Sequence, residues 1–249
     1  MQTEHNNQTI TGPELTEYLS GVVRVRCGDY QDSGVLWFNN GIYSVLTNQH
    51  VTSSLEYNQS CVVIIEEKSK KGLSTVYETV ALKNSYQWNN KADIIVLQLI
   101  ERGSSQHEER NYIPVLKRQT APLKNLNFKI SLIPKCKANM PLGSPAMVVG
   151  YPASTIKKIN TEKWIFFESS QTITEGIISA LDDSVNGFLS DQLYPNYFVS
   201  SKIDSGNSGG VAFSKNNGKL CLLGIPTWLN IGDYDTQGII QNIYNIISK

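Results

Sequence analysis

The chain carries no excess of charge of either sign. Its 22 Lys and Arg against 22 Asp and Glu over 249 residues give a formal net charge of zero. The basic stripe of a nucleic-acid binder is therefore missing. No apolar run reaches the roughly 18–20 residues that a membrane-crossing helix needs. Histidine is scarce, with 3 in the whole chain, and no two of the 4 cysteines have CxxC spacing. Neither a zinc site nor a redox motif is indicated, so no metal and no cofactor is expected. The opening residues Met1 to Asn7 are polar and lack the apolar stretch of a secretory leader, which leads us to expect a cytoplasmic protein. Helical periodicity is also lacking over most of the chain.

What is present is the material of a globular core: 40% apolar and 18% charged residues. Cys27, Cys61 and Cys221 lie in β-like apolar runs, where reduced thiols act as small hydrophobes. Buried free thiols are the expectation, with a Cys27–Cys61 bridge left open. Gly12-Pro13-Glu14 opens a short helix, and Leu15, Tyr18 and Leu19 share one of its faces. From Gly21 the period changes to two. Val23, Val25 and Cys27 alternate with Arg24 and Arg26, the mark of a half-buried strand. Asn39-Asn40-Gly41 between apolar runs predicts a hairpin turn. Further strands are predicted at 61–66, 75–82 and 94–99. A second β-rich half has strands at 129–133, 146–149, 164–167, 173–181, 197–201, 211–213 and 219–228. Polar loops are expected at 154–162 and 182–194, and the apolar spacing of 236–248 predicts a closing amphipathic helix. The divisions read as a 1–20 extension, a 21–110 first barrel, a 111–125 linker, a 126–232 second barrel and a 233–249 helical end. The fold class is all-β.

Three stretches carry chemistry. Asp204-Ser205-Gly206-Asn207-Ser208-Gly209-Gly210 sets a serine hydroxyl in a glycine turn, where backbone N–H groups can converge on a reacting oxygen. His50 follows a strand in Thr47-Asn48-Gln49-His50-Val51 and has a pKa suited to a general base. Asp93 precedes the apolar strand Ile94–Leu97 and needs a partner if buried, for which His50 is the candidate. His5 and His107 sit in polar segments that suggest no role.

In the order His, Asp, Ser, with Ser33-Gly34, Val149-Gly150-Tyr151-Pro152 and Thr174-Glu175-Gly176-Ile177-Ile178-Ser179-Ala180 beside them, these stretches resemble the trypsin-fold serine peptidases. They are most similar to the HtrA/Deg-type protease domain without a PDZ domain. The resemblance implies two six-stranded antiparallel β-barrels with a short N-terminal and a C-terminal helix. It implies Ser208 as nucleophile, His50 as general base and acid, and Asp93 as the residue that orients His50. The backbone N–H groups of Gly206 and Ser208 would form an oxyanion hole. The substrate would be a polypeptide, hydrolysed through an acyl-enzyme.

Position 202, six residues before the nucleophile, falls at the floor of the family's specificity pocket. If Lys202 points inward, it favours an acidic P1 side chain. If it points outward, Ile203 and the strand 225–228 shape an apolar pocket; burial of an unpaired ammonium is costly, which favours this second reading. Thr227 and Trp228 match the strand that pairs with substrate backbone, and Thr227 is a candidate hydrogen-bond partner of Asp93. Val51 and Asn207 replace the Cys and Asp found in secreted digestive relatives, so activation through a freed N-terminus is not expected. Two other readings stay open: a non-catalytic binding module on the same fold, and a latent protease ordered by a partner or substrate.

Overall fold

The computed structural model describes residues 10, 12–28, 30–53, 60–68, 74–82, 87–89, 92–100, 123, 126–152, 156–160, 163–166, 170–182, 192–231 and 236–247. Helix α1 (Gly12–Leu19) has Pro13 in its first turn, where a missing N–H is tolerated, and Glu14 at the positive end of its dipole. Leu15 is fully buried, and Tyr18 and Leu19 pack on a core shared with both β-systems. An ion pair of 3.0 Å between Glu14 and Lys215 ties the helix to the second half.

The first half is built from β1 (Val22–Cys27), β2 (Tyr30–Asn39), β3 (Ile42–Thr47), β4 (Ser60–Lys68), β5 (Ser74–Leu82), β6 (Gln87–Asn89) and β7 (Ile94–Ile100). The order β3-β2-β1-β4-β5-β7 closes on itself through β3–β7, and β6 adds to β7 outside that ring. The β2–β3 turn has Asn40 at φ 51° and Gly41 at φ 80°, the left-handed pair that a tight hairpin requires. Val23, Val25, Leu36, Val45, Ile95 and Leu97 fill the barrel.

The second half comprises β8 (Pro145–Gly150), a separate hairpin β9 (Ile156–Asn160) and β10 (Lys163–Phe166), then β11 (Thr172–Asp182), β12 (Asn196–Val199), β13 (Val211–Asn216), β14 (Lys219–Ile231) and β15 (Thr236–Asn242). Strands β11-β12-β15-β14-β13-β8 form a closed barrel. Chain closure by α2 is brief, Ile243–Ile246.

Four expectations need correction. The run 236–248 is not one helix: β15 occupies Thr236–Asn242, and Asn242 then caps α2 by accepting from the Tyr244 N–H at 3.1 Å. Pairing on both sides, with β12 and β14, overrides the helical spacing of the isoleucines. The segment 129–133 is a 3-10 turn over Lys129–Leu132, stabilised locally as Ser131 Oγ donates to the Phe128 carbonyl at 2.6 Å. The loop expected at 154–162 contains β9, paired with β10. All four cysteines are bridged, Cys27 to Cys61 and Cys136 to Cys221. Cys27 faces Cys61 directly in the β1–β4 ladder, and the Cys136 N–H binds the Leu222 carbonyl beside Cys221. Such proximity depends on strand register, which spacing along the chain does not reveal. The linker expected at 111–125 lies outside the described residues apart from Leu123, as do His5, His107 and residues 183–191 of the second loop.

Candidate active site

Strand register brings the first two residues together. Thr47 at the end of β3 pairs with Ile95 in antiparallel β7. Residues just after Thr47 therefore run beside residues just before Ile95, and the Gln49 N–H reaches the Asp93 carbonyl at 3.3 Å. His50 rides on a single 3-10 turn, Gln49–Thr52, anchored by buried Val51 and Thr52. Thr52 Oγ1 donates to the Gln49 carbonyl at 2.8 Å and Ser53 Oγ to the His50 carbonyl at 2.7 Å, fixing the turn.

The Asp93 carboxylate grips His50 twice. Its Oδ1 accepts from the His50 backbone N–H at 3.1 Å, and its Oδ2 lies 2.6 Å from Nδ1. An ionised carboxylate there selects the tautomer with hydrogen on Nδ1 and leaves Nε2 free to accept a proton. The Asp93 side chain is 14% exposed and that of His50 44%. Burial pulls the His50 pKa down, but the Asp93 hydrogen bond and the charges of Asp93 and Asp32 outweigh it, so the net shift is upward.

Ser208 lies in the turn between β12 and β13. Gly206 and Gly209 adopt φ of 91° and 80°, which a side chain would strain. The N–H groups of Asn207, Gly209 and Gly210 bind the carbonyls of Asp204, Pro226 and Asn207. Ser33 of the first barrel holds the loop at two points. The Ser33 N–H donates to the Ser208 carbonyl at 2.9 Å, and Ser33 Oγ donates to the Gly206 carbonyl at 2.7 Å. Ser33 Oγ also accepts from the Tyr151 N–H at 2.7 Å. The Ser208 hydroxyl itself donates to the Thr227 carbonyl at 3.2 Å, rather than to the His50 ring.

The other predicted residues sit as follows. Lys202 is outward, with its side chain 75% exposed and 3.0 Å from the Asp204 carboxylate. Ile203 is buried in the second barrel and packs so closely on Gly238 that a Cβ there would lie 2.3 Å from Ile203 Cδ1. Thr227 is buried and Trp228 half-buried on β14. Thr227 does not reach the Asp93 carboxylate. Its Oγ1 donates to the Ile225 carbonyl at 3.1 Å and accepts from Asn48 Nδ2 at 2.9 Å and Gln241 Nε2 at 2.6 Å. Among the described residues no cluster of His, Cys, Asp and Glu suited to a metal ion is found.

Asp32 went unnoticed in the sequence, where it reads as an ordinary polar position before Ser33-Gly34. It is 9% exposed on β2, immediately before the serine that holds the nucleophile loop. Burial pushes its carboxyl up to about 6, against the opposing pull of His50 and of the Gly206 backbone N–H. The folded chain thus keeps this proton to higher pH than the unfolded chain. Between the ordinary carboxylate range and about 6, stability falls as pH rises, and above that the full penalty applies. Asp32→Asn is expected to gain on the order of 2–3 kcal/mol near neutral pH and nothing near pH 3. The change also removes one of the charges that raise His50, so the His50 titration should move down. Urea melts at the two pH values check the first statement; equal stability changes at both would refute it.

Comparison with known proteins adds the family context. The profile of the trypsin-like peptidase domain matches residues 32–225. No curated protein sequence matches the chain. Among solved structures, Deg5 is similar at 16% identity and a TM-score of 0.57, over 95% of this chain and 93% of that one. The HtrA-type protease AlgW with a decapeptide is similar at 18% identity and a TM-score of 0.54, over 92% of this chain and 62% of AlgW. Rv3671c protease in an inactive form is similar at 16% identity and a TM-score of 0.52, over 94% and 89% of the two chains.

Proposed function

Because this chain belongs to the trypsin-like peptidase family, we propose that it is a serine endopeptidase working through His50, Asp93 and Ser208. The observation that carries the reading is the doubly held His50–Asp93 pair, with Nδ1 2.6 Å from the carboxylate. Nε2 takes the Ser208 proton as Oγ attacks the scissile carbonyl, and the imidazolium then protonates the leaving amine. The Ser208 and Gly206 N–H groups receive the oxyanion, the Gly206 N–H once it leaves the Asp32 carboxyl that it binds here. Water attacks the acyl-enzyme by the same steps in reverse roles. The Ser208 hydroxyl is engaged by the Thr227 carbonyl, and that bond is given up before Oγ attacks.

A substrate strand has a place to lie. β14 pairs with β13 only over Lys219–Gly224 and with β15 over Gly224–Ile231. Among the described residues, that leaves the other edge of the stretch around Thr227 and Trp228 without a paired strand, the place for an extended peptide. With Lys202 turned out to Asp204 and Ile203 inside, the P1 site suits an apolar side chain.

A fluorophosphonate probe tests the proposal. Covalent labelling of the wild type should be lost in Ser208→Ala, and peptides with P1 Val or Leu should be cut in preference to P1 Glu. Absence of labelling even with added peptide would leave a binding module on a peptidase fold. Labelling that needs added peptide would identify a latent enzyme.

A further inference from the structure

Asp93 immediately precedes β7 of the first barrel and Ser208 belongs to a loop of the second. Their relative position depends on how the barrels are docked, and a polar network crosses that junction. Gln241, on β15 of the second barrel, is fully buried. Its Oε1 accepts from the Asp93 backbone N–H at 2.7 Å. Its Nε2 donates to Thr227 Oγ1 at 2.6 Å and to the Asp93 carbonyl at 3.3 Å. Asn48, also fully buried, repeats the pattern from the first barrel, donating from Nδ2 to the Asp93 carbonyl at 2.7 Å and to Thr227 Oγ1 at 2.9 Å. Both polar groups of the Asp93 peptide are therefore held by side chains, two of the contacts arriving from a strand 148 residues further along the chain.

Thr227 can serve as the hub because of a local irregularity. The β14–β15 register shifts between Pro226 and Trp228, which places Thr227 in a bulge. Bulges re-aim side chains and release main-chain groups from the ladder. Thr227 presents Oγ1 to the two amides and its carbonyl to the Ser208 hydroxyl. One residue thus links the anchor of the acid to the nucleophile.

We propose that Gln241 is a positioning residue of the catalytic centre: with the Thr227 bulge it fixes Asp93, and through it His50, relative to Ser208 across the junction of the barrels. The inference deepens the peptidase reading and rests on it. Gln241 touches no substrate; its action passes through the Asp93 main chain. A leucine or methionine there would fill the volume but leave the Asp93 N–H and the Thr227 hydroxyl without that partner, and buried polar groups without partners relax toward others.

The test uses Gln241→Met and Thr227→Val in the full chain, singly and together. Proton NMR follows the His50 Nδ1–H resonance and the His50 titration, and peptide hydrolysis supplies kcat and KM. Gln241→Met should shift the Nδ1–H resonance upfield, lower the His50 midpoint, and reduce kcat about 10-fold at unchanged KM. Thr227→Val should move the same readouts, and the double variant should lose less than the two singles combined, the signature of one shared network. A folded Gln241→Met with wild-type His50 resonance and titration would overturn the inference, whatever its melting temperature. If Gln241→Met does not fold, Thr227→Val carries the same test on the NMR readout, and wild-type behaviour there overturns it equally. Failure of the peptidase reading is separate: it shows as absent probe labelling in the wild type, whereas the NMR readouts judge Gln241 without any turnover.

Discussion

Asp93→Asn is expected to lower kcat by about 10⁴ while leaving the fold and melting temperature close to wild type. The carboxylate accepts from both the His50 N–H and Nδ1. An asparagine can keep one acceptor, but its NH2 group is a donor. Settled against Nδ1, that donor makes Nδ1 the accepting nitrogen and moves the ring proton to Nε2. The nitrogen that should take the Ser208 proton is then already protonated. The imidazolium also loses its counter-charge in the transition state. Since the Asp93 main chain is held by Gln241 and Asn48 rather than by its own carboxylate, the strand should stay in place. Hydrolysis rates and the rate of fluorophosphonate labelling measure the effect. A variant within tenfold of wild type in both would mean that His50 is not the base.

Gly209→Ala should be the most damaging of the small changes around the nucleophile. Gly209 has φ 80°, and a Cβ on it would lie 2.3 Å from the Ser33 carbonyl oxygen, 2.4 Å from Thr47 Oγ1 and 3.0 Å from Thr47 Cα. Two of these atoms are main chain of the first barrel and have little freedom to retreat. The left-handed conformation costs a residue with a side chain about 1–2 kcal/mol, and overpacking typically adds about 1–3 kcal/mol. Relief requires the loop to lift, which breaks the Gly209 N–H bond to the Pro226 carbonyl and the Ser33 contacts that fix Gly206 and Ser208. The expected result is a melting temperature lower by roughly 5–10 °C and probe labelling slower by about 10² or more, as for loss of an oxyanion donor. Gly218→Ala is the control. Its φ of 74° is similar, but nothing lies within 4 Å of the added Cβ. It should show a smaller thermal loss and unchanged labelling. Equal effects in the two variants would reject the steric argument in favour of backbone strain alone.

The parts of the chain that sequence reading placed well are those specified by near neighbours. Alternation in Val23 to Cys27, the Asn40-Gly41 turn and the glycine turn around Ser208 each declare themselves within a few residues, because pleat and turn geometry act at that range. The His50–Asp93 juxtaposition was legible as a need for a partner at Asp93, which the β3–β7 register then meets. Gln241 was hidden for a definite reason. It sits among isoleucines whose spacing mimics a helix, and only closure of the second barrel turns that segment into a strand with its amide pointing at Asp93. Asp32 was hidden likewise, since its burial depends on a loop reached through Ser33. The bulge at Thr227 leaves no mark in composition beyond Pro226. The cysteines misled because apolar surroundings suit a free thiol and a bridge equally well.

Those two bridges also divide the molecule in a particular way. Cys27–Cys61 spans β1 and β4, and Cys136–Cys221 joins the lead-in of the second barrel to β14. Each covalent staple closes within its own half, so neither joins the half that carries His50 to the half that carries Ser208. A single cut of the main chain anywhere between Ile100 and Cys136 would leave two independently cross-linked fragments with only non-covalent forces between them. The alignment of the two halves is accordingly left to hydrogen bonds and packing, while each bridge fastens one half internally.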